Sequence, residues 1–484
     1  MSETSTKVVH SLIWTTIEKI GKQFLQFVLG IIIARLLLPS DYGTIGMLGI
    51  FMELSAMILS AGIGYALIQR QDRTEEDFST AFYINIITGI ILYLILYITA
   101  PLIAGFYKIP TLKSITRIYS LTLIINSLAM VQRTRLTIAF NFKAQAIISI
   151  IALVISGVIS IYFAKIGLGV WTLVFYGLIE SGLSCIFYIS YEHWIPRAKF
   201  SKESFKHIFS FGSKILISNI LNTIYNNMYT LVIGKKLTPY DVGIYNRGKN
   251  FSELPPTITS QILMKVAYPL FSEMQSDENK SKDIFTKIIA LESYFLAPVL
   301  GGMAIIAEPL VLLLLKDKWA DCIPILQILC LGALWLPLID VNNNLLFSKG
   351  LTGVSLKIET ITKPLAIITL FASIPFGLKI MCFARAVFMF LSYLFSVFMT
   401  KKYLHFSFSS QIKAIFPSII YTVIMLFIVH FSMKLFDSYI IKITIAIIIG
   451  AFTYIILSLI TRNTIFFGCI NAVKARIKRN KNNE

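Results

Sequence analysis

Charge is scarce in this chain. Only 14% of its 484 residues are Asp, Glu, Lys or Arg, against 56% hydrophobic residues and a mean hydropathy of +0.75. That balance excludes a soluble globular protein of this length and points to a polytopic membrane protein. Acid is scarcer than base, with 25 Asp and Glu against 44 Lys and Arg and a net charge of +19. The basic residues are spread over many loops rather than gathered in one patch, which argues against a nucleic-acid partner. Cysteine is sparse too. Cys185, Cys322, Cys330, Cys382 and Cys469 are odd in number, lack metal-ligand spacing and lie mostly in apolar runs. They read as small buried apolar residues, and no metal site is expected. There is no GxxxxGK[ST] loop, no GxGxxG after a strand, and no polar stretch large enough for a nucleotide-binding domain. Neither ATP hydrolysis, a catalytic site nor a cofactor is expected. The first ten residues are polar and no small-residue cleavage site follows, so a cleavable signal peptide is not expected.

What is there is a series of long apolar stretches. A spanning helix needs about 20 such residues. About fourteen stretches qualify, at 12–37, 42–68, 79–105, 114–138, 144–164, 168–190, 208–233, 243–271, 284–314, 322–347, 354–375, 379–400, 411–433 and 439–461. With an N-in start, 25 Lys and Arg fall in inside segments and 13 in outside ones. The bias predicts both termini in the cytoplasm and accounts for much of the net charge.

The chain also repeats itself. Residues 31–54 (IIIARLLLPSDYGTIGMLGIFMEL) and 231–254 (LVIGKKLTPYDVGIYNRGKNFSEL) align without a gap at an offset of 200, with eight of 24 positions identical. The identities include Pro39/Pro239, Asp41/Asp241, Gly43/Gly243 and Glu53/Glu253. In each copy an apolar helix ends, a Pro-x-Asp-x-Gly turn follows and a new helix begins. Six spans per copy give both copies the same orientation, hence a pseudo-twofold along the membrane normal. The expected fold is an all-α polytopic membrane protein of about fourteen spans. It divides into two six-helix bundles, 1–200 and 201–405, an appended helix pair at 406–463, and a basic, disordered cytoplasmic tail at 464–484.

Polar residues inside spans are costly and by default face a bundle interior or a water-filled cavity. They concentrate in the first two helices of each copy. Thr15, Lys19, Lys22 and Gln26 recur at helical spacing on one face. They suit either a cavity wall or an interfacial turn whose lysines snorkel to headgroups. In the seventh helix Lys214, Ser218, Asn222, Tyr225 and Tyr229 share a face, with Asn219, Asn226 and Asn227 beside it. Those amides either stitch helices together or line a hydrophilic cavity of the kind that binds sugars. The eighth helix adds Arg247, Lys249 and Glu253, followed by Pro255-Pro256, which should kink it. Lys249 and Glu253 are four apart and spaced to pair. Two roles suit Glu53 and Glu253, a cation or proton site or a packing motif partnered by a basic residue. Arg117, Glu180, Glu292, Asp340, Glu359, Lys363 and Arg385 are assigned to structural pairing. The cluster sums to positive charge, so it should attract an anion, best a phosphate or pyrophosphate.

ARLLLPSDYG (34–43), EPLVLLLLKDKW (308–319) and KKLTPYDVGIYNRGKNFSELP (235–255) together resemble the polysaccharide exporters of the multidrug/oligosaccharidyl-lipid/polysaccharide flippase superfamily, Wzx-type flippases in particular. The resemblance implies two six-helix bundles that rock about a central site and pass an undecaprenyl-diphosphate-linked oligosaccharide to the periplasmic leaflet. It implies an inner-membrane location, contact with membrane lipids, and work alongside a polysaccharide polymerase and chain-length machinery. On this reading Lys19, Lys22, Gln26, Lys214, Asn222, Tyr225, Asn226, Arg247 and Lys249 bind substrate, and Glu53 and Glu253 are the ion-coupling candidates. A multidrug antiporter of the same superfamily would want an acidic cavity. A membrane glycan polymerase would want a sizeable external loop bearing carboxylates.

Overall fold

The computed structural model describes residues 3–60, 63–273 and 277–481. Some side chains within those ranges, Lys19 and Lys214 among them, lie outside the described residues. Among the described residues there is no strand. The helices are α1 (Glu3–Leu36), α2 (Pro39–Ser60), α3 (Ile63–Gln69), α4 (Glu75–Tyr107), α5 (Thr111–Tyr119), α6 (Leu121–Ile138), α7 (Phe142–Lys165), α8 (Trp171–Glu192), α9 (Lys202–Lys236) and α10 (Pro239–Glu273). There follow α11 (Glu278–Ile305), α12 (Ala307–Leu315), α13 (Cys322–Ala333), α14 (Trp335–Ser348), α15 (Thr352–Ser373), α16 (Gly377–Leu404), α17 (Phe408–Met433), α18 (Tyr439–Ile460) and α19 (Thr464–Lys481).

Ten helical stretches among the described residues are long and apolar enough to cross a membrane, and one of them, Thr352–Leu404, holds both α15 and α16. The helices α1, α9 and α10 are long enough to span, at 34, 35 and 35 residues. They are also the ones that carry the Lys, Gln and Asn residues singled out in the sequence. Large apolar side chains stand outward, such as Ile98, Leu102, Phe427 and Phe452. This is the surface that acyl chains cover, since lipid leaves such residues no reason to turn inward.

Two compact units result, Met1–Gly243 and Ile244–Glu484. In the first, α7 packs against α1 and α8, α6 against α4 and α8, and α9 against α2, α3 and α4. Ala129, Leu136, Ile148 and Tyr188 form one core of this unit, and Ile63, Leu67, Phe78, Val131 and Trp194 another. In the second, α16 packs against α13, α14 and α15, while α17 packs against α11 and α18. Phe271, Phe285, Ile289, Leu338, Val341 and Tyr393 form its main core. The last span, α18, docks on α11 through polar contacts as well. The Tyr294 hydroxyl meets Ser458 Oγ at 2.7 Å, and the Tyr454 hydroxyl donates to the Tyr294 carbonyl at 2.9 Å.

Helix starts follow from local chemistry. Asn141, Ser201 and Asp277 each accept a hydrogen bond from the backbone N–H three residues on, satisfying one of the donors a helix N-terminus leaves open. The duplicated Pro-x-Asp-x-Gly stretch proves to be such a start, the first turn of α2 and of α10. Proline opens each helix, where its missing N–H costs nothing. Asp41 and Asp241 reach back three residues and accept from the N–H of Leu38 at 2.9 Å and of Thr238 at 3.1 Å. In the second copy the Thr238 hydroxyl also accepts from the Asp241 N–H at 3.2 Å, which completes a reciprocal cap.

The glycines allow a backbone crossing. A Cβ on Gly43 would lie 1.6 Å from the Pro239 carbonyl oxygen, and one on Gly243 would lie 1.9 Å from the Pro39 carbonyl oxygen. The two turns therefore meet reciprocally, each glycine against the other's proline, as a local twofold requires.

The region 464–484, expected to be disordered, is helical from Thr464 to Lys481. Asn463 explains the start, because its side-chain oxygen accepts from the N–H groups of Ile465 and Phe466 at 2.9 and 3.2 Å. Ile465 and Phe466 then pack against the Tyr294–Tyr421–Tyr454 core. Charge content alone hid that anchor.

Candidate functional site

In the first unit the α1 stripe emerges half-way. Lys22 is half-buried and its Nζ lies 3.1 Å from Glu180 Oε1 on α8. Gln26, one turn on, is exposed, and the side chain of Lys19 lies outside the described residues. On α9, Asn222 and Asn226 are exposed and Tyr225 is half-buried, while the side chain of Lys214 lies outside the described residues. Asn227, adjacent to that face, donates to Glu53 Oε2 at 2.6 Å and to the Thr223 carbonyl at 3.0 Å. The polar faces of α9 and α2 therefore meet. This is helix stitching at one point, with exposed amides on either side of it.

In the second unit α10 carries the chemistry. Arg247 stacks its guanidinium over the Trp319 ring, 5.2 Å from the centroid. Trp319 is fully buried at the end of the EPLVLLLLKDKW segment, so it is a fixed platform. Lys249 is half-buried nearby in sequence. Glu253 pairs with Arg385 of α16, Oε1 to Nη2 at 2.6 Å, with side chains 26% and 12% exposed. The spacing of Lys249 and Glu253 had suggested a pair within α10. The carboxylate goes to α16 instead, where a guanidinium can meet it at short range. Arg385 lies 6.0 Å from the Tyr245 ring as well. Beside these groups Ser252, Leu329, Gly332, Ala333, Ala386 and Met389 complete a small polar-to-apolar recess.

Sequence reasoning named Glu180, Arg385, Glu359 and Lys363 as residues that should pair, and all four do, the last two with each other at 2.6 Å. Arg117 is held by Tyr97, its guanidinium 4.1 Å from the ring centroid. What the sequence missed was the identity of two partners, Lys22 for Glu180 and Glu253 for Arg385, each more than a hundred residues away along the chain. Among the described residues no group of three or more His, Cys, Asp or Glu could hold a metal ion. The arrangement offers charged and amide groups on membrane-embedded helices.

Comparison with known proteins gives the family and the fold. Residues 32–324, more than half of the chain, match the family described as polysaccharide biosynthesis protein. The teichuronic acid biosynthesis protein TuaB of Bacillus subtilis is 25% identical over 382 residues, 78% of each chain. The succinoglycan biosynthesis transport protein ExoT of Rhizobium meliloti is 27% identical over 327 residues, 67% of this chain and 66% of that one. The fold is that of the lipid II flippase MurJ in an inward closed conformation, with a TM-score of 0.75 over 94% of this chain and all of that one, at 16% identity. The chain belongs to the polysaccharide biosynthesis protein family.

Proposed function

We propose that this protein is a flippase that moves a polyprenyl-diphosphate-linked oligosaccharide, a repeat unit of O-antigen, capsule or exopolysaccharide, from the cytoplasmic to the periplasmic leaflet. It is a transporter rather than an enzyme. The observation that carries the reading is the family match over residues 32–324. The chemistry agrees with it. The diphosphate is the charged part of such a substrate, and Arg247 and Lys249 are assigned to it, with Lys19, Lys22 and Lys214 as further basic contacts. Stacking on Trp319 uses the face of the Arg247 guanidinium, whereas phosphate recognition uses its edge. Gln26, Asn222, Tyr225 and Asn226 are assigned to the sugars, since amides and tyrosines pair with hydroxyls as donors and acceptors. A diphosphate of about two charges crossing the full field at 100 mV gains roughly 4–5 kcal/mol, outward in an inside-negative cell. The location that follows is the bacterial inner membrane with both termini cytoplasmic, supported by the 25-to-13 bias of Lys and Arg. A polysaccharide polymerase and its chain-length machinery are the partners that would take up the product.

The test is leaflet-resolved transport of a lipid-linked oligosaccharide in reconstituted vesicles. Arg247→Ala should lower substrate binding about ten- to hundredfold, because one charge-assisted contact contributes on the order of 1.5–3 kcal/mol. Arg247→Lys should recover only part of it, since the fork is lost. Normal surface glycan in cells whose protein carries alanine at Lys22, Lys214, Arg247 and Lys249 together would show that the anion is held elsewhere.

A further inference from the structure

Glu292 lies midway along α11, and its side chain is 1% exposed. Neither of its carboxylate oxygens has a hydrogen-bond partner among the described residues. Other acids on the helices do have partners: Glu180 has Lys22, Glu253 has Arg385 and Glu359 has Lys363. An ionised carboxylate without such a partner is far costlier to bury than the neutral acid.

Two neighbours define the surroundings. The Thr259 hydroxyl of α10 lies beside Glu292. It is nevertheless directed along its own helix, to the carbonyls of Pro255 and Pro256, each at 3.1 Å. Asp340 of α14 is the charged group that acts on Glu292, and it is exposed. The remaining elements around α11 bring their charges elsewhere. On α17, Lys413 and His430 lie near the two ends, and on α18 Lys442 lies in the first turn. Glu308 opens α12, α13 has only the thiols of Cys322 and Cys330, and α19 carries Lys474. On α10, Glu253 is paired with Arg385, and the side chain of Lys265 lies outside the described residues.

A hydroxyl has one proton to give. Beside an ionised Glu292 the Thr259 proton would turn to the carboxylate. Beside a protonated Glu292 it can stay on the helix carbonyls. Thr259 Oγ lies within hydrogen-bond reach of both helix carbonyls, the arrangement that a neutral Glu292 leaves open to it. We propose that Glu292 is a proton-binding site of the second unit, reached through Asp340 and sensed by Thr259, and that it couples one proton to substrate movement; the coupling clause rests on the flippase reading above. In the loading step a hydronium at Asp340 gives its proton to the Glu292 carboxylate, leaving water and a neutral acid, and unloading returns the same proton. The neutral acid tolerates a dry site and the ion does not, so the two forms favour different packings around α11.

Two measurements on the full chain test this. In an infrared titration of the purified protein in sodium-free buffer, the protonated-carboxyl band should contain a component that disappears in Glu292→Gln. Its midpoint should move in Thr259→Val, a change that loss of packing alone would not produce. In vesicles, one unit of pH gradient should shift the leaflet distribution of a fluorescent undecaprenyl-diphosphate disaccharide about tenfold per coupled proton, and Glu292→Gln should abolish that dependence. A folded, monodisperse Glu292→Gln protein with the wild-type titration, or with undiminished gradient dependence, would overturn the site, as would a dependence that follows sodium instead of pH. A wild-type protein that moves no lipid-linked sugar at all would overturn the flippase reading, and the infrared titration would still decide Glu292 on its own.

Discussion

The two copies of the repeat share a scaffold and differ in chemistry. Pro39 and Pro239 open their helices, Asp41 and Asp241 reach back to the same backbone position, and Gly43 and Gly243 make the same crossing. Ten residues further on, Glu53 and Glu253 also correspond, yet Glu53 takes a neutral amide from Asn227 while Glu253 takes the Arg385 guanidinium. The turn could not drift because backbone geometry fixes it. The carboxylates could, because a partner on a neighbouring helix sets their role. The duplication thus preserves how the chain enters the second helix of each copy and leaves its polar contacts free to specialise.

The largest effect should come from that divergence. Glu253→Gln leaves the half-buried Arg385 guanidinium beside a neutral side chain, and breaking such a pair from one side costs about 3 kcal/mol, the low end for a buried one. Glu53→Gln keeps a hydrogen-bonding oxygen for Asn227 and should cost under about 1 kcal/mol. Thermal unfolding of the two variants in detergent compares them directly, and equal losses would end the claim that the two acids differ. The crossing itself comes next, at a similar size. Gly43→Ala and Gly243→Ala both drive a methyl into a carbonyl, and overpacking of that kind costs about 3 kcal/mol. Gly49→Ala, where nothing lies within 4 Å, should instead stabilise by up to about 1 kcal/mol through helix propensity. A Gly43→Ala protein as stable as Gly49→Ala would contradict the crossing. The smallest effect concerns the caps. Asp241→Ala should cost about 1 kcal/mol and Asp41→Ala somewhat less, since Leu38 has no hydroxyl to complete the box. Leu38→Thr should then gain about 0.5 kcal/mol by giving the first copy the second copy's cap. A rise in melting temperature for Leu38→Thr that vanishes in an Asp41→Ala background would sharpen the comparison to a single hydrogen-bonded pair.

The features legible in the sequence were local or periodic. The apolar runs, the duplicated turn and the Glu359–Lys363 pair all lie within one helix or its first turn, where spacing fixes geometry. Tertiary choices were not legible. Glu253 had a basic residue four positions away and still paired with Arg385, 132 positions on. Lys22 is expected to contact substrate, and its Nζ proves to pair with Glu180 of α8. The terminal helix escaped notice because a run of lysines and arginines masks the two apolar residues that anchor it, Ile465 and Phe466. Glu292 was set among the acids that should pair, and only the packing around α11 shows that it does not.

The crossing of Gly43 and Gly243 has a bearing on how such chains can be recombined. Each glycine touches the backbone of the other copy's proline, so neither sequence segment meets a surface of its own design. A hybrid gene joining the first 200 residues of this protein to the remainder of a relative would have to match at this one point before any substrate is considered. Hybrids whose two turns both keep the Pro-x-Asp-x-Gly spacing should insert and survive, and those offset by a single residue in one turn should be degraded. That makes the crossing a compatibility check written into the backbone, and a practical place to begin when exchanging halves to alter which glycan is carried.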